Sequence, residues 1–219
     1  MTEPQVELEH EFSLDIEYDP TRWLEIPPRW DVEEWRDIGA WARECAELFW
    51  RSHGGEAGRP EILFLADTLR RFAEAFAPAP FDTRVLLRVW EPASMPLQLF
   101  AMVKPASGNR EDTLRFLVGA EDPDAVEPPL VEAFRTELLG EGVRAFRYLR
   151  QDGTAELLAA LRYAWRDERV GADVVMWTAT DDTAQIVRAA PDIEELAHKV
   201  GVAVWDLRPE REVSPDVAS

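Results

Sequence analysis

Near its start the chain alternates between apolar and acidic residues from Val6 to Tyr18, and this pattern constrains the fold more than any other segment. The even positions are apolar or aromatic apart from one histidine, and the odd positions are acidic apart from one serine. A period of two places successive side chains on opposite faces of a β-strand. The segment therefore predicts a strand with one buried face and one acidic face. The acidic residues are Glu7, Glu9, Glu11, Asp15 and Glu17.

Two segments with helical spacing follow. In the first, apolar residues from Trp35 to Phe49 recur every three or four positions, with Asp31 as the expected N-cap and an end near His53. The second stripe runs from Ile62 to Phe76, between two prolines. The pair predicts an αα-hairpin.

The rest of the chain is interpreted mainly as short strands. Residues 157–166 fit either a helix, by composition, or a strand, by alternation, and we prefer the strand. Asp181 and Asp182 are interpreted as the turn of a tight hairpin, and Pro191 as the first residue of a helix that ends before Gly201. The predicted elements are strands at 84–90, 97–104, 113–119, 143–150, 157–166, 173–180, 183–189 and 202–206, and a short helix at 130–138.

Strands joined by short turns imply antiparallel pairing, and helices between groups of strands imply packing on sheet faces. We therefore predict an α+β fold: an antiparallel β-sheet flanked by helices, with an N-terminal strand and an αα-hairpin. A doubly wound nucleotide-binding fold is disfavoured, because regular alternation and a glycine-rich first turn are both missing. Residues 1–207 are expected to form one domain, and residues 208–219 a disordered tail.

The amino-acid composition limits the classes of binding partner and the cellular location that are expected. The 43 acidic and 24 basic residues give a net charge of −19, which disfavours nucleic acid and anionic membranes. The longest uncharged run, 92–103, is shorter than the ~20 residues that a membrane-spanning helix needs. No signal-peptide pattern is visible and Cys45 is the single cysteine, so a soluble, cytoplasmic protein is expected.

No spacing typical of an active site is found. Cys45 lies on the apolar stripe of the first helix and His53 at its end, so both are interpreted as structural. The acids at 121–124 and 181–182 are interpreted as solvated turn residues, because calcium-loop spacing is missing. No catalytic residue, metal ligand or cofactor is therefore expected, and an enzyme is disfavoured.

Trp50 is the most distinctive of the nine tryptophans. It lies outside the apolar stripe and next to Arg51, as in exposed interface anchors. An alternative is that it packs against the segment from Trp23 to Trp30.

The segment from Val143 to Trp205 resembles the closing half of Mog1/PsbP-like α/β domains. Its Pro191-Asp192 followed by Leu196-Ala197 is similar to the C-terminal helix of actinobacterial LpqN-like members. The resemblance implies an antiparallel sheet flanked by helices and a binding or accessory role. It transfers no functional residue, and the exported location of LpqN-like members is not expected because no lipid-attachment cysteine is found.

Two functional hypotheses follow. The first is a non-enzymatic binding protein, immunity-like or chaperone-like, whose acidic strand face and Trp50 meet a basic protein partner, with self-association as a variant. The alternative is a small-molecule-binding protein or enzyme with a pocket between sheet and helices. The residues considered for that pocket are His53, Arg84, Arg88 and Tyr163.

Overall fold

The computed structural model describes residues 10–28, 30, 35–53, 60–76, 83–91, 93–150 and 157–206, with the backbone only at 10, 11, 205 and 206. The elements are β1 (His10–Ile16), β2 (Trp23–Ile26), α1 (Ile38–Ser52), α2 (Pro60–Phe76), β3 (Thr83–Arg88), β4 (Leu97–Pro105), α3 (Arg110–Val118), β5 (Leu130–Thr136), β6 (Gly140–Arg150), β7 (Leu157–Asp167), β8 (Ala172–Thr180), α4 (Thr183–Ala197) and β9 (Val200–Asp206). Two predictions, the strand before His10 and the tail at 208–219, fall outside the described residues. The single domain stays a prediction.

Seven strands form one sheet, in the order β2-β3-β4-β8-β7-β6-β5, and every neighbouring pair is antiparallel. Strands β1 and β9 form a separate antiparallel pair. The predicted α+β class, with its N-terminal strand and αα-hairpin, is confirmed. Within the described part of the chain, no helix is long and apolar enough to cross a membrane.

Both faces of the large sheet are covered. On one face, α4 and the β1–β9 pair bury a core that includes Leu99, Trp165 and Met176. On the other face, α1 and α2 cover the end of the sheet near β3, and α3 packs on β6, β7 and β8. The faces alternate along β3, because Val85 and Leu87 face α1 and α2 while Leu86 faces the opposite core.

Two predictions near the helices are wrong. The first helix begins at Ile38, not after Asp31, because the Asp37 carboxylate accepts a hydrogen bond from the Ala40 amide at 2.8 Å and caps it there. Residues 113–119 belong to helix α3, not to a strand. The Asn109 side chain accepts from the Asp112 amide at 3.2 Å, and Gly119 ends the helix in the left-handed conformation.

The short helix predicted at 130–138 is strand β5, which pairs with β6 from Leu130 opposite Phe146 to Thr136 opposite Gly140. The hairpin predicted around Asp181–Asp182 is also wrong. Asp182 caps α4, which starts at Thr183 and continues through Pro191. Because Pro191 lies inside the helix and has no N–H group, one backbone carbonyl of the preceding turn lacks its helical donor. Burial of Ile186, Ile193 and Leu196 stabilises the helix despite this loss.

Candidate functional site

Strand β1 contains two members of the predicted acidic row, Glu11 and Asp15, and Glu17 directly follows the strand. Its pairing with β9 places Leu14 and Ile16 in the core, whereas Asp15 and Glu17 are exposed just where the alternation puts them. Neither carboxylate forms an ion pair with another described residue. Glu11 lies two positions before Ser13 in the same strand, opposite Trp205, and only its backbone is described. Glu7 and Glu9 lie outside the described residues.

Basic groups stand beside one end of this row. Asp15 and Glu17 line an open concavity of about 1170 Å³ together with Arg135, His198 and Lys199. The Lys199 ammonium is paired with a carboxylate of α4 at 3.1 Å, so part of this positive charge is already compensated. The row is therefore acidic along β1 and bounded by cations at the end near α4.

Strand β1 also forms one wall of a cavity of about 780 Å³. Ser13, which shares its strand face with Asp15, and Leu14 line this cavity, and α1 and β2 supply much of the rest. The lining is mostly apolar. Its other members are Tyr18, Pro20, Thr21, Trp23, Leu24, Glu25, Pro27, Pro28, Trp35, Trp41, Cys45, Leu48, Phe49, Ser52 and Arg84.

The polar side of the cavity is a closed hydrogen-bond network. The Arg84 guanidinium makes a bidentate ion pair with the Glu25 carboxylate, and its third bond goes to the Leu14 carbonyl at 2.9 Å. The Tyr18 hydroxyl donates to the same carboxylate at 3.2 Å. The network links β1, β2 and β3 and therefore fixes the acidic row against the large sheet.

This network has little capacity for acid–base catalysis. Burial raises the pKa of Tyr18 to about 12, and the adjacent Glu25 carboxylate adds to the effect, so the phenol stays protonated at neutral pH. The side-chain exposure of Glu25 is 14%, and both of its oxygens already accept bonds. A general base needs a free acceptor near pH 7, and neither group supplies one.

Trp50 lies away from the acidic row. At 100° per residue it points roughly 160° away from Leu48 and Ser52, which line the cavity from the other flank of α1. It is half-buried in the cluster between α1 and α2, which also contains Trp30, and no residue in the described ranges accepts a hydrogen bond from its buried indole nitrogen. Trp23 lies in the core on the other sheet face.

The four residues considered for a pocket are dispersed. His53 is exposed at the end of α1, with its Nδ1 atom 2.9 Å from the Phe49 carbonyl. Arg88 is buried and binds Asp192 at 2.7 Å, and Tyr163 is buried beneath α4. Of the four, the cavity is lined by Arg84 alone.

Sequence reasoning missed Tyr18 and Glu25. One signal could have found Glu25: it is the single acid in an otherwise apolar segment, between Leu24 and Ile26. An acid in such a position needs a compensating cation once it is buried. The identity of that cation, Arg84, depends on the pairing of β2 with β3.

No protein-family model matches the chain. A search of curated proteins also finds no match. Among solved structures, the Ran-binding protein Mog1p of Saccharomyces cerevisiae is 11% identical over 62% of this chain and 84% of that chain, with a TM-score of 0.40. LpqN of Mycobacterium tuberculosis, involved in cell envelope biogenesis, is 13% identical over 57% of this chain and 81% of that chain, with a TM-score of 0.37. The chain therefore has a weak structural resemblance to both proteins.

Proposed function

We propose that this chain is a non-enzymatic binding protein for a basic protein partner, in the manner of an immunity protein or a chaperone. The acidic row of β1 supplies the electrostatic contact, and the adjoining cavity receives an apolar side chain of the partner. We include in this proposal the cytoplasmic location expected from the sequence.

The observation that carries the proposal is the position of Ser13. It lines the cavity and lies on the same face of β1 as Asp15, and Glu17 directly follows the strand. Alternate residues of a strand are about 6.6 Å apart. One extended segment of a partner could therefore place an apolar side chain in the cavity and basic side chains over both carboxylates. Interfaces commonly combine a buried apolar anchor with a charged rim in this way.

The overall charge supports the choice of a basic partner. A net charge of −19 attracts cationic proteins over several ångströms and raises the rate of encounter, and both effects weaken with salt. The same charge opposes self-association through this surface. The closed Tyr18–Glu25–Arg84 network supports binding over catalysis, because its polar atoms are already engaged.

The proposal is tested by capture from a lysate of the source cells with two charge-matched variants. Asp15→Lys/Glu17→Lys reverses the row, and Glu127→Lys/Asp181→Lys reverses two exposed carboxylates that have no ion pair with a described residue. Both variants change the net charge by the same amount. At about 0.05 M salt, the wild type and the control should retain the same basic protein, and the β1 variant at least about tenfold less.

The salt dependence of capture and the comparison of the two variants together test the proposal. Raising the salt to about 0.5 M should release the captured protein, because exposed charges are then screened within a few ångströms. Equal retention by the two variants, or a retained protein that is acidic, would contradict the proposal.

A second candidate function is favoured by the cavity alone. Its volume of about 780 Å³ lies within the range of roughly 300–1,000 Å³ typical of small-molecule sites. Leu48→Trp would fill part of the cavity from its exposed rim, and Leu63→Trp is the matched control on the exposed face of α2. If the cavity serves a small apolar metabolite, a thermal-shift screen should find a ligand that Leu48→Trp rejects, while the charge variants of β1 still bind it.

A further inference from the structure

Arg162 is a half-buried cation on the face of β7 that packs against α3. It lines a cavity of about 510 Å³ formed by α3 and the loop that follows it. This cavity is separate from the one beside β1, since the two have no lining residue in common.

No carboxylate of the described residues forms an ion pair with Arg162. Its one described hydrogen bond runs from Nη1 to the Leu117 carbonyl at 3.2 Å, in the last turn of α3. A guanidinium has five N–H donors, and its charge is costly to bury without an anion. The hydrogen bond to the Leu117 carbonyl, which caps α3, uses one of these five donors.

A second guanidinium increases the local positive charge. Arg147 of β6 is diagonal to Arg162, because Ala145 is the direct partner of Arg162 in the β6–β7 ladder. Its Nη1 binds the Gly119 carbonyl at 3.0 Å and Asp122 at 2.7 Å, whereas its buried Nε has no hydrogen-bond partner among the described residues. Burial, and then the charge of Arg147, lower the pKa of Arg162, and the Asp122 carboxylate opposes part of this effect.

The rest of the cavity limits the kind of anion. Phe116, which is 79% exposed, Leu117 and Pro123 form an apolar wall. Three carboxylates also line the cavity: Asp122 is paired with Arg147 and Glu121 with Arg115, while Asp112 has no ion pair with a described residue. These carboxylates favour a ligand with one negative charge over a polyanion.

We propose that Arg162 binds the carboxylate of a small monocarboxylic acid whose apolar part lies against Phe116, Leu117 and Pro123. The carboxylate supplies the direct ion pair that Arg162 lacks among the described residues, and the apolar part covers the exposed phenyl ring. This site is independent of the acidic row on β1.

The test is an NMR titration of the full chain at low chloride with sodium benzoate, with benzamide as the uncharged analogue and inorganic phosphate as the polyanion. Benzoate should shift the amide signals of Leu117 and Gly119 in a saturable way, and the other two probes should not. Arg162→Gln should lower the affinity for benzoate at least about tenfold. Arg110 lies on α3 but does not line the cavity, so Arg110→Gln should leave the affinity for benzoate unchanged.

Phe116→Ala is a second variant whose folding is secure, because its ring is exposed. It should lower the affinity for benzoate several-fold, while the NMR spectrum remains that of the folded protein. The proposal is overturned if benzoate does not saturate, if Arg162→Gln binds it as well as the wild type does, or if phosphate or benzamide binds equally tightly. In the first case Arg162 serves only as a cap of α3.

Discussion

At the scale of single residues, Gly119 shows how closely α3 and β6 approach each other. It adopts a φ of 67°, and a Cβ atom built on it would lie 1.5 Å from Nη1 of Arg147. Gly140 has a similar φ of 74°, yet its Cβ would meet no described atom within 4 Å apart from its chain neighbours. The two glycines share a backbone requirement and differ in their surroundings.

Alanine substitutions at these two glycines should separate the two effects. Gly140→Ala should lower the free energy of unfolding by about 1 kcal/mol, the cost of a left-handed backbone. Gly119→Ala should lower it by about 3 kcal/mol, because Arg147 must also give up its bonds to Asp122 and the Gly119 carbonyl. Urea unfolding of both variants provides the measurement, and equal losses would show that Arg147 moves aside at no cost.

Tyr18, which is half-buried, and Tyr163, which is buried, give a prediction about pH. Burial raises the pKa values of Tyr18 and Tyr163 to about 12, whereas an unfolded tyrosine ionises near 10. The unfolded chain therefore loses these protons first, so stability is maintained below pH 10 and falls between about pH 10 and 12. In Tyr148→Phe, which retains these two tyrosines, phenolate absorbance should appear near pH 12. Absorbance appearing near pH 10 with an intact circular dichroism spectrum would contradict the burial.

At the scale of elements, the sequence predicts strands and helices well where a pattern fits one period only. The alternation before Tyr18, described from His10 onwards, and the stripe of α2 are of this kind. Residues 157–166 fit either structure, and they form the preferred strand. Residues 113–119 mislead because Thr113, Phe116 and Val118 favour a strand, while Asn109 and Gly119 cap a helix. In β5, Leu130 and Phe134 are four apart, which fits a helix and a strand equally well.

Helix α4 shows how a single cap competes with a proline signal. Asp182 accepts hydrogen bonds from the amides of Ala184 and Gln185, at 3.0 and 3.3 Å, and starts the helix eight residues before Pro191. Asp182→Ala should lower the free energy of unfolding by about 1 kcal/mol, the usual loss for an N-cap. The neighbouring Asp181→Ala is the matched control, because Asp181 is exposed and accepts no capping bond, and it should be nearly neutral. A loss as large in the control would mean that charge, not capping, stabilises this end.

At the scale of the whole molecule, the fold class and the exposure of Asp15 and Glu17 could be predicted, but the cavity beside them could not. The exposure of Asp15 and Glu17 follows from local alternation. The cavity beside them depends on the pairing of β1 with β9 and on the Glu25–Arg84 contact, both of which join distant parts of the chain. The position of Trp50 depends in the same way on the packing of α1 against α2, which directs the indole away from the row.

In our proposal, a basic partner binds along β1 and into the cavity at its edge. Hydrogen–deuterium exchange of the full chain, alone and with the captured partner, locates that contact directly. We predict slower exchange in β1 and in the flank of α1 that carries Leu48 and Ser52, and this protection should be lost in Asp15→Lys/Glu17→Lys. Protection confined to other surfaces, such as the exposed face of α2 or the edge strand β5, would contradict the claim.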